Sequence, residues 1–116
     1  MIRLENAKMS PRIENGTIFW YEGDGFSLSL TLELTDADGE SVDIAADDEI
    51  TITFEDKRGE EIKTFEFENV EDNTVTLKFT DEVTALFKAG KYKYDITIVH
   101  GGVRTTLAKG NDVIVE

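Results

Sequence analysis

Chemistry in this chain would have to start from its only histidine, His100, and from a run of carboxylates. Asp36, Asp38 and Glu40 stand two apart, Asp43 follows, and Asp47, Asp48 and Glu49 are consecutive. A hard cation such as Ca²⁺ takes about six to eight oxygen ligands, which an acidic loop can supply. The fragment Asp36-Ala37-Asp38-Gly39 nevertheless lacks the further ligands and the glutamate of an EF-hand loop. A hairpin turn accounts for the same residues, because Asp and Gly supply the conformations a reversal needs. His100 precedes Gly101-Gly102 and reads as a strand-end residue on the rim. With no second histidine and no cysteine, a His-rich or thiolate zinc site cannot be assembled within one chain. No nucleophile elbow, P-loop, dinucleotide fingerprint or HExxH pattern occurs. Two carboxylates could serve a glycosidase, but spacing across strands fixes no separation between them. The expectation is a protein that is not an enzyme, with no catalytic, cofactor-binding or metal-ligating residue and no cofactor.

Aromatic residues raise the question of a platform for sugar or protein. Tyr92 and Tyr94 alternate onto the face of Ile96 and Ile98, which places both in the core. Phe19 and Trp20 are adjacent and point to opposite faces, so one of the two is available as an exposed interface anchor.

Length and charge bound the rest. A chain of 116 residues suits one domain and buries roughly two-thirds of its unfolded surface. The N-terminus MIRLENAKMSPRIENG has no apolar core of a secretion signal, and no apolar run reaches membrane-spanning length. The net charge of −13 is uneven. Residues 13–56 carry thirteen acids and no Lys or Arg, whereas residues 57–116 carry eleven acids and nine bases. Nucleic-acid binding needs clustered cations to displace counterions, so neither nucleic acid nor membrane is an expected partner. The acidic half reads either as a surface that meets a basic partner or collects cations, or as a solvated face that keeps a β-protein soluble.

The elements follow from period-2 alternation. Residues 1–16 form an N-terminal arm or edge strand, with Pro11 tolerated because an edge needs no ladder donor there. Residues 17–21, TIFWY, suit a strand covered on both sides. Phe26, Leu28, Leu30, Leu32 and Leu34 alternate without a fault with small hydroxylated residues, predicting one strand over 26–35 that ends in the turn DADGES. Residues 42–44 suggest a brief edge segment. Ile50, Ile52 and Phe54, then Phe65 and Phe67, then Val75, Leu77 and Phe79 mark three further strands. The first two of these join through Asp56-Lys57-Arg58-Gly59, with Gly at the left-handed position. TDEVTALFKA, residues 80–89, switches to helical spacing, with Val83, Leu86 and Phe87 on one face and Thr80 as cap. One or two helical turns are expected there. Residues 90–109 predict a hairpin about Gly101-Gly102, with His100 opposite Val103, Ile98 opposite Thr105 and Ile96 opposite Leu107. A last strand follows over 112–116. The sum is a single β-sandwich over residues 17–116, of about eight antiparallel strands with one short helix.

Several of these motifs together resemble a known family. They are Tyr21-Glu22-Gly23-Asp24 with the Leu-rich strand, Asp38-Gly39-Glu40, Val42-Asp43-Ile44 and Asp48-Glu49-Ile50. Val75-Thr76-Leu77, the turn at Thr84 to Phe87, and Ala89-Gly90-Lys91-Tyr92-Lys93-Tyr94-Asp95-Ile96 continue the pattern. Gly101-Gly102-Val103-Arg104-Thr105-Thr106-Leu107 and Gly110 before Asp112-Val113 complete it. Over roughly residues 19–116 the chain resembles the N-terminal domain of phage baseplate upper proteins. That resemblance implies an immunoglobulin-like sandwich serving as a non-catalytic virion structural protein of the tail or baseplate. Its partners would be other tail proteins or copies of itself, and its location the virion, or the bacterial cytoplasm when prophage-encoded. The alternative is a bacterial surface or secreted immunoglobulin-like module that binds protein, carbohydrate or calcium. Any docking surface is expected on the acidic half, around Asp36, Asp38 and Glu40.

Overall fold

The structure is a computed structural model that describes residues 11–116; the Met1 to Ser10 part of the expected arm lies outside the described residues. Ten strands and one helical turn follow in order. They are β1 (Arg12–Glu14), β2 (Thr17–Trp20), β3 (Phe26–Thr31), β4 (Leu34–Thr35), β5 (Ser41–Val42), β6 (Glu49–Asp56) and β7 (Glu61–Phe67). β8 (Thr74–Phe79), α1 (Asp81–Thr84), β9 (Gly90–His100) and β10 (Val103–Val115) complete the chain. The large sheet has the order β1-β2-β10-β9-β6-β7, while β3-β8 and β4-β5 form two-stranded sheets. The β3-β8 pair faces the large sheet across one core, the layering of a β-sandwich. Among the described residues the count is ten rather than about eight, and one pair departs from the antiparallel expectation. β2 runs parallel to β10, with Ile18 beside Val113 and Trp20 beside Val115.

Alternation places the core as the sequence demands. Ile50, Ile52 and Phe54 of β6, Val75, Leu77 and Phe79 of β8, and Tyr94, Ile96 and Ile98 of β9 are all buried. Trp20 is 1% exposed and sits among Phe26, Phe54, Phe79 and Phe87, with ring centroids 4.9–6.3 Å away. It is therefore a core residue and no interface anchor. β2 alternates: its other aromatic, Phe19, turns to the opposite face, where the Arg12 guanidinium covers it at 4.2 Å.

Three local expectations are corrected. The faultless alternation from Phe26 to Leu34 is not one strand, because the ladder to β8 stops at Thr31 and β4 pairs with β5 instead. The helix is one turn capped as expected, with the Thr80 hydroxyl accepting from the Val83 amide, but its buried face differs. It closes with i→i+3 bonds, Leu86 to Val83 and Phe87 to Thr84. That tighter pitch stacks Phe87 over Thr84, both buried, and leaves Leu86 half exposed instead of sharing their face. Finally, the 90–109 hairpin closes as expected at Gly101-Gly102, both at positive φ, with His100 opposite Val103 and Ile98 opposite Thr105. Beyond Thr106 two bulges intervene, so Ile96 faces Ala108 rather than Leu107, and the strand runs unbroken to Val115. Asp95 fixes the second bulge by accepting the Gly110 amide at 2.6 Å.

Candidate functional site

The segment from Glu33 to Asp43 belongs to neither main sheet. β4 and β5 pair only with each other, Leu34 with Val42 and Thr35 with Ser41, and make a short finger. Its tip is built by Asp36. One Asp36 carboxylate oxygen accepts the amides of Asp38 at 2.9 Å and Glu40 at 3.0 Å. The Asp36 amide donates to the Glu40 carbonyl at 2.9 Å, and Gly39 takes φ +80 to complete the reversal. This carboxylate serves the turn, as the hairpin reading required, while Glu33, Asp38, Glu40 and Asp43 are exposed around it.

One side chain fastens both legs of the finger. The Asn73 amide donates to the carbonyls of Leu32 at 3.1 Å and Val42 at 3.3 Å, and its oxygen accepts the Ile44 amide at 2.9 Å. The Leu32 amide donates in turn to the Asn73 carbonyl at 2.7 Å. Asn73 holds φ +53, a left-handed conformation that Asn tolerates better than most residues. In the sequence it belongs to Glu71-Asp72-Asn73, a run that reads only as a turn between strands. The finger stands between two hollows. One of about 720 Å³ is lined by its own legs and by Asp72 and Asn73. The other, of about 500 Å³, separates it from the end of the β9-β10 hairpin. The first bulge turns half-buried Leu107 into this second hollow, beside Ile98.

At the bottom of the second hollow lies the contact that sequence reasoning missed. Asp48, 2% exposed, lies with its two oxygens 2.8 and 2.9 Å from His100 Nδ1. It also accepts the Ala45 amide at 2.8 Å. Burial pushes the Asp48 pKa up, but the Ala45 amide, the His100 hydrogen bond and the imidazole charge outweigh it and hold the group below 3.8. An ionised carboxylate only accepts, so Nδ1 carries the proton. A signal for this pair was present: the β6-β9 register sets Glu49 opposite Val99, and one step further sets Asp48 opposite His100.

His100 is on the rim as expected, with its side chain 60% exposed. A carboxylate-oriented imidazole can serve catalysis or a metal when a nucleophile or further ligands join it. Among the described residues no hydroxyl or thiol is hydrogen-bonded to the ring, and no three His, Cys, Asp or Glu side chains converge to hold a metal ion. The pair acts as a tie between the 45–48 loop and the end of β9. Among the described residues no helix is long and apolar enough to cross a membrane.

Comparison with known proteins adds no family: no protein-family model matches the chain, and a search of curated proteins gives no match.

Proposed function

We propose that this chain is a non-catalytic connector module of a phage or prophage tail baseplate, which docks through its acidic finger on a basic surface of another tail protein. The observation that carries this reading is the finger itself. It is a short hairpin outside both sheets, flanked by hollows, that presents Glu33, Asp38, Glu40 and Asp43 from a segment with no Lys or Arg. Exposed like charges of this kind steer encounter with a basic partner and set its register more than they add affinity. The rigid sandwich supplies the fixed platform, and the Asn73 and His100–Asp48 contacts fix the finger and the wall it faces.

The resemblance to baseplate upper proteins supports the setting, and the gene neighbourhood tests it. Flanking genes for tail or lysis proteins agree with the proposal. A secretion signal and wall anchor in the full-length gene would overturn it in favour of a surface module. Binding to the tail partner is expected to weaken steeply as salt rises above about 0.15 M, where the screening length is about 8 Å.

A further inference from the structure

We infer that the outer face of the large sheet is a self-complementary surface that pairs with a second copy of this chain. This deepens the connector reading by naming one contact, but it is tested on the chain alone and can fail while the finger still docks.

The face is divided by charge along the strand direction. On β6 and β7 it carries Glu55, Glu61 and Glu66, while the one lysine of β7, Lys63, turns to the core side opposite Phe54. On β9 and β10 it carries Lys93, Arg104 and Lys109, with Lys91 further along β9. Asp95 and Asp112 also lie in the basic half, 3.7 Å from Lys109 and Lys93, yet its balance remains positive. In a chain of net charge −13 such a segregated basic half is unexpected if the face only meets water.

A band of threonines crosses both halves. The ladders align Thr106, Thr97 and Thr51, and set Thr53 beside Thr64. Thr51, Thr53, Thr97 and Thr106 line a depression of about 270 Å³, with Glu55 and Glu61 on one side and Arg104 and Lys109 on the other. Threonine side chains are short and stiff, so little entropy is lost when another surface covers them. A hydroxyl both donates and accepts, which lets it pair with the same hydroxyl on an identical face.

A two-fold axis running along the strands between β6 and β9 lays the acidic half of one copy on the basic half of the other. It sets Glu55 against Lys93 of the second copy, and Thr51 against its Thr97. The same axis puts Glu61 opposite the Lys93–Asp112 pair of the second copy, but an axis across the strands would set the whole acidic half on itself, so the axis along the strands is the favoured one. Four strands at about 4.8 Å by about eight residues at ~3.3 Å give a footprint of roughly 500 Å² per copy, below the ~800 Å² of a standard interface. The pairing is therefore weak, with a dissociation constant on the order of micromolar or above. Net repulsion opposes it at low salt, and screening of the facing charges opposes it at molar salt, so association peaks between.

Sedimentation velocity across a dilution series tests this, using two triple variants. One, the all-basic variant, is Glu55→Lys, Glu61→Lys and Glu66→Lys, which makes both halves of the face net basic; the other, the all-acidic variant, is Lys93→Glu, Arg104→Glu and Lys109→Glu, which makes both net acidic. Each variant alone is expected to dissociate at least ~10-fold more readily than the wild type, about 1.4 kcal/mol. Mixed in equal amounts, the two should form a heterodimer. The all-basic variant is decisive, since its smaller net charge would favour association if bulk repulsion alone mattered. Thr97→Arg, a single change at a half-buried outer-face position beside the axis, gives the same loss of self-association should a triple variant not fold. Asp38→Asn with Glu40→Gln on the finger leaves the dimer unchanged. A wild type that stays monomeric at all salt concentrations, or a mixture that does not associate, overturns the inference.

Discussion

Two hairpins in this molecule have the same tip and opposite fates. Asp36-Ala37-Asp38-Gly39-Glu40 and Asp56-Lys57-Arg58-Gly59-Glu60 both let the first Asp accept the amides two and four residues on, at 2.8–3.0 Å. In both, the Asp amide donates to the Glu carbonyl at 2.9 Å and the Gly stands at φ +80 or +85. Yet the first closes a finger of two-residue strands, and the second joins strands of eight and seven residues inside the large sheet. The turn chemistry is local and identical. What differs is the flank: β6 sends Ile50, Ile52 and Phe54 into the core, whereas the finger offers half-buried Leu34 and Val42 among carboxylates. A turn sets how the chain reverses, and apolar flanks decide whether the hairpin joins a sheet.

The contrast can be broken most forcefully from the core side. Phe54→Ala should cost about 3–5 kcal/mol in urea unfolding, while Leu34→Ala on the finger should cost clearly less, because its site is already part open to water. Equal losses would show that the finger is integral to the sandwich. Asn73→Ala is next, at about 1–3 kcal/mol for part-buried backbone groups left without partners. Hydrogen exchange should then accelerate at Leu32 and Ile44 while the β6-β7 ladder keeps its protection. Removal of the tip carboxylates sharpens the comparison further. Asp56→Ala should lower the melting midpoint more than Asp36→Ala, since only the former loosens a hairpin coupled to the core.

Acid titration follows from the same two regions. Asp56 is held below 3.8 by the Glu60 amide first, which works against desolvation, with the Arg58 amide and charge and the Gly59 amide helping. Asp48 is lowered as well. The native state thus binds fewer protons than the unfolded chain, so the stabilisation is complete above pH 3.8 and is lost as pH falls through the folded values. Melts from about pH 5 to about pH 2 should show that loss, and Asp48→Asn and Asp56→Asn should each remove part of the slope. A slope unchanged in both variants would contradict these assignments. The smallest effect belongs to the rim: His100→Gln should leave partner binding within a few-fold, and a loss of roughly 100-fold, ~2.7 kcal/mol, would refute the reading of His100 as a rim residue outside the docking surface.

Most of the sandwich was legible because its strands bury one face, and period-2 alternation records that directly for β6, β8 and β9. Where the sequence misled, a distant partner had overridden a local pattern. Phe26 to Leu34 alternates without a fault, but Asn73 draws Leu32 and Val42 together and divides the run into β3 and β4. The second bulge after Thr106 depends on Asp95 reaching the Gly110 amide across the ladder. The parallel match of β2 to β10 joins the two ends of the described chain, which no local pattern encodes. The acidic half was readable as charge. That its carboxylates divide into a turn-maker at Asp36, a buried tie at Asp48 and an exposed set on the finger required the fold.

The finger's role is tested most directly by neutralising its exposed charges and leaving Asp36 in place. A variant with Glu33→Gln, Asp38→Asn, Glu40→Gln and Asp43→Asn should melt like the wild type yet fail to enter purified phage particles, as judged by quantitative mass spectrometry of the virions. Incorporation at the wild-type level by a correctly folded variant would contradict docking through the finger.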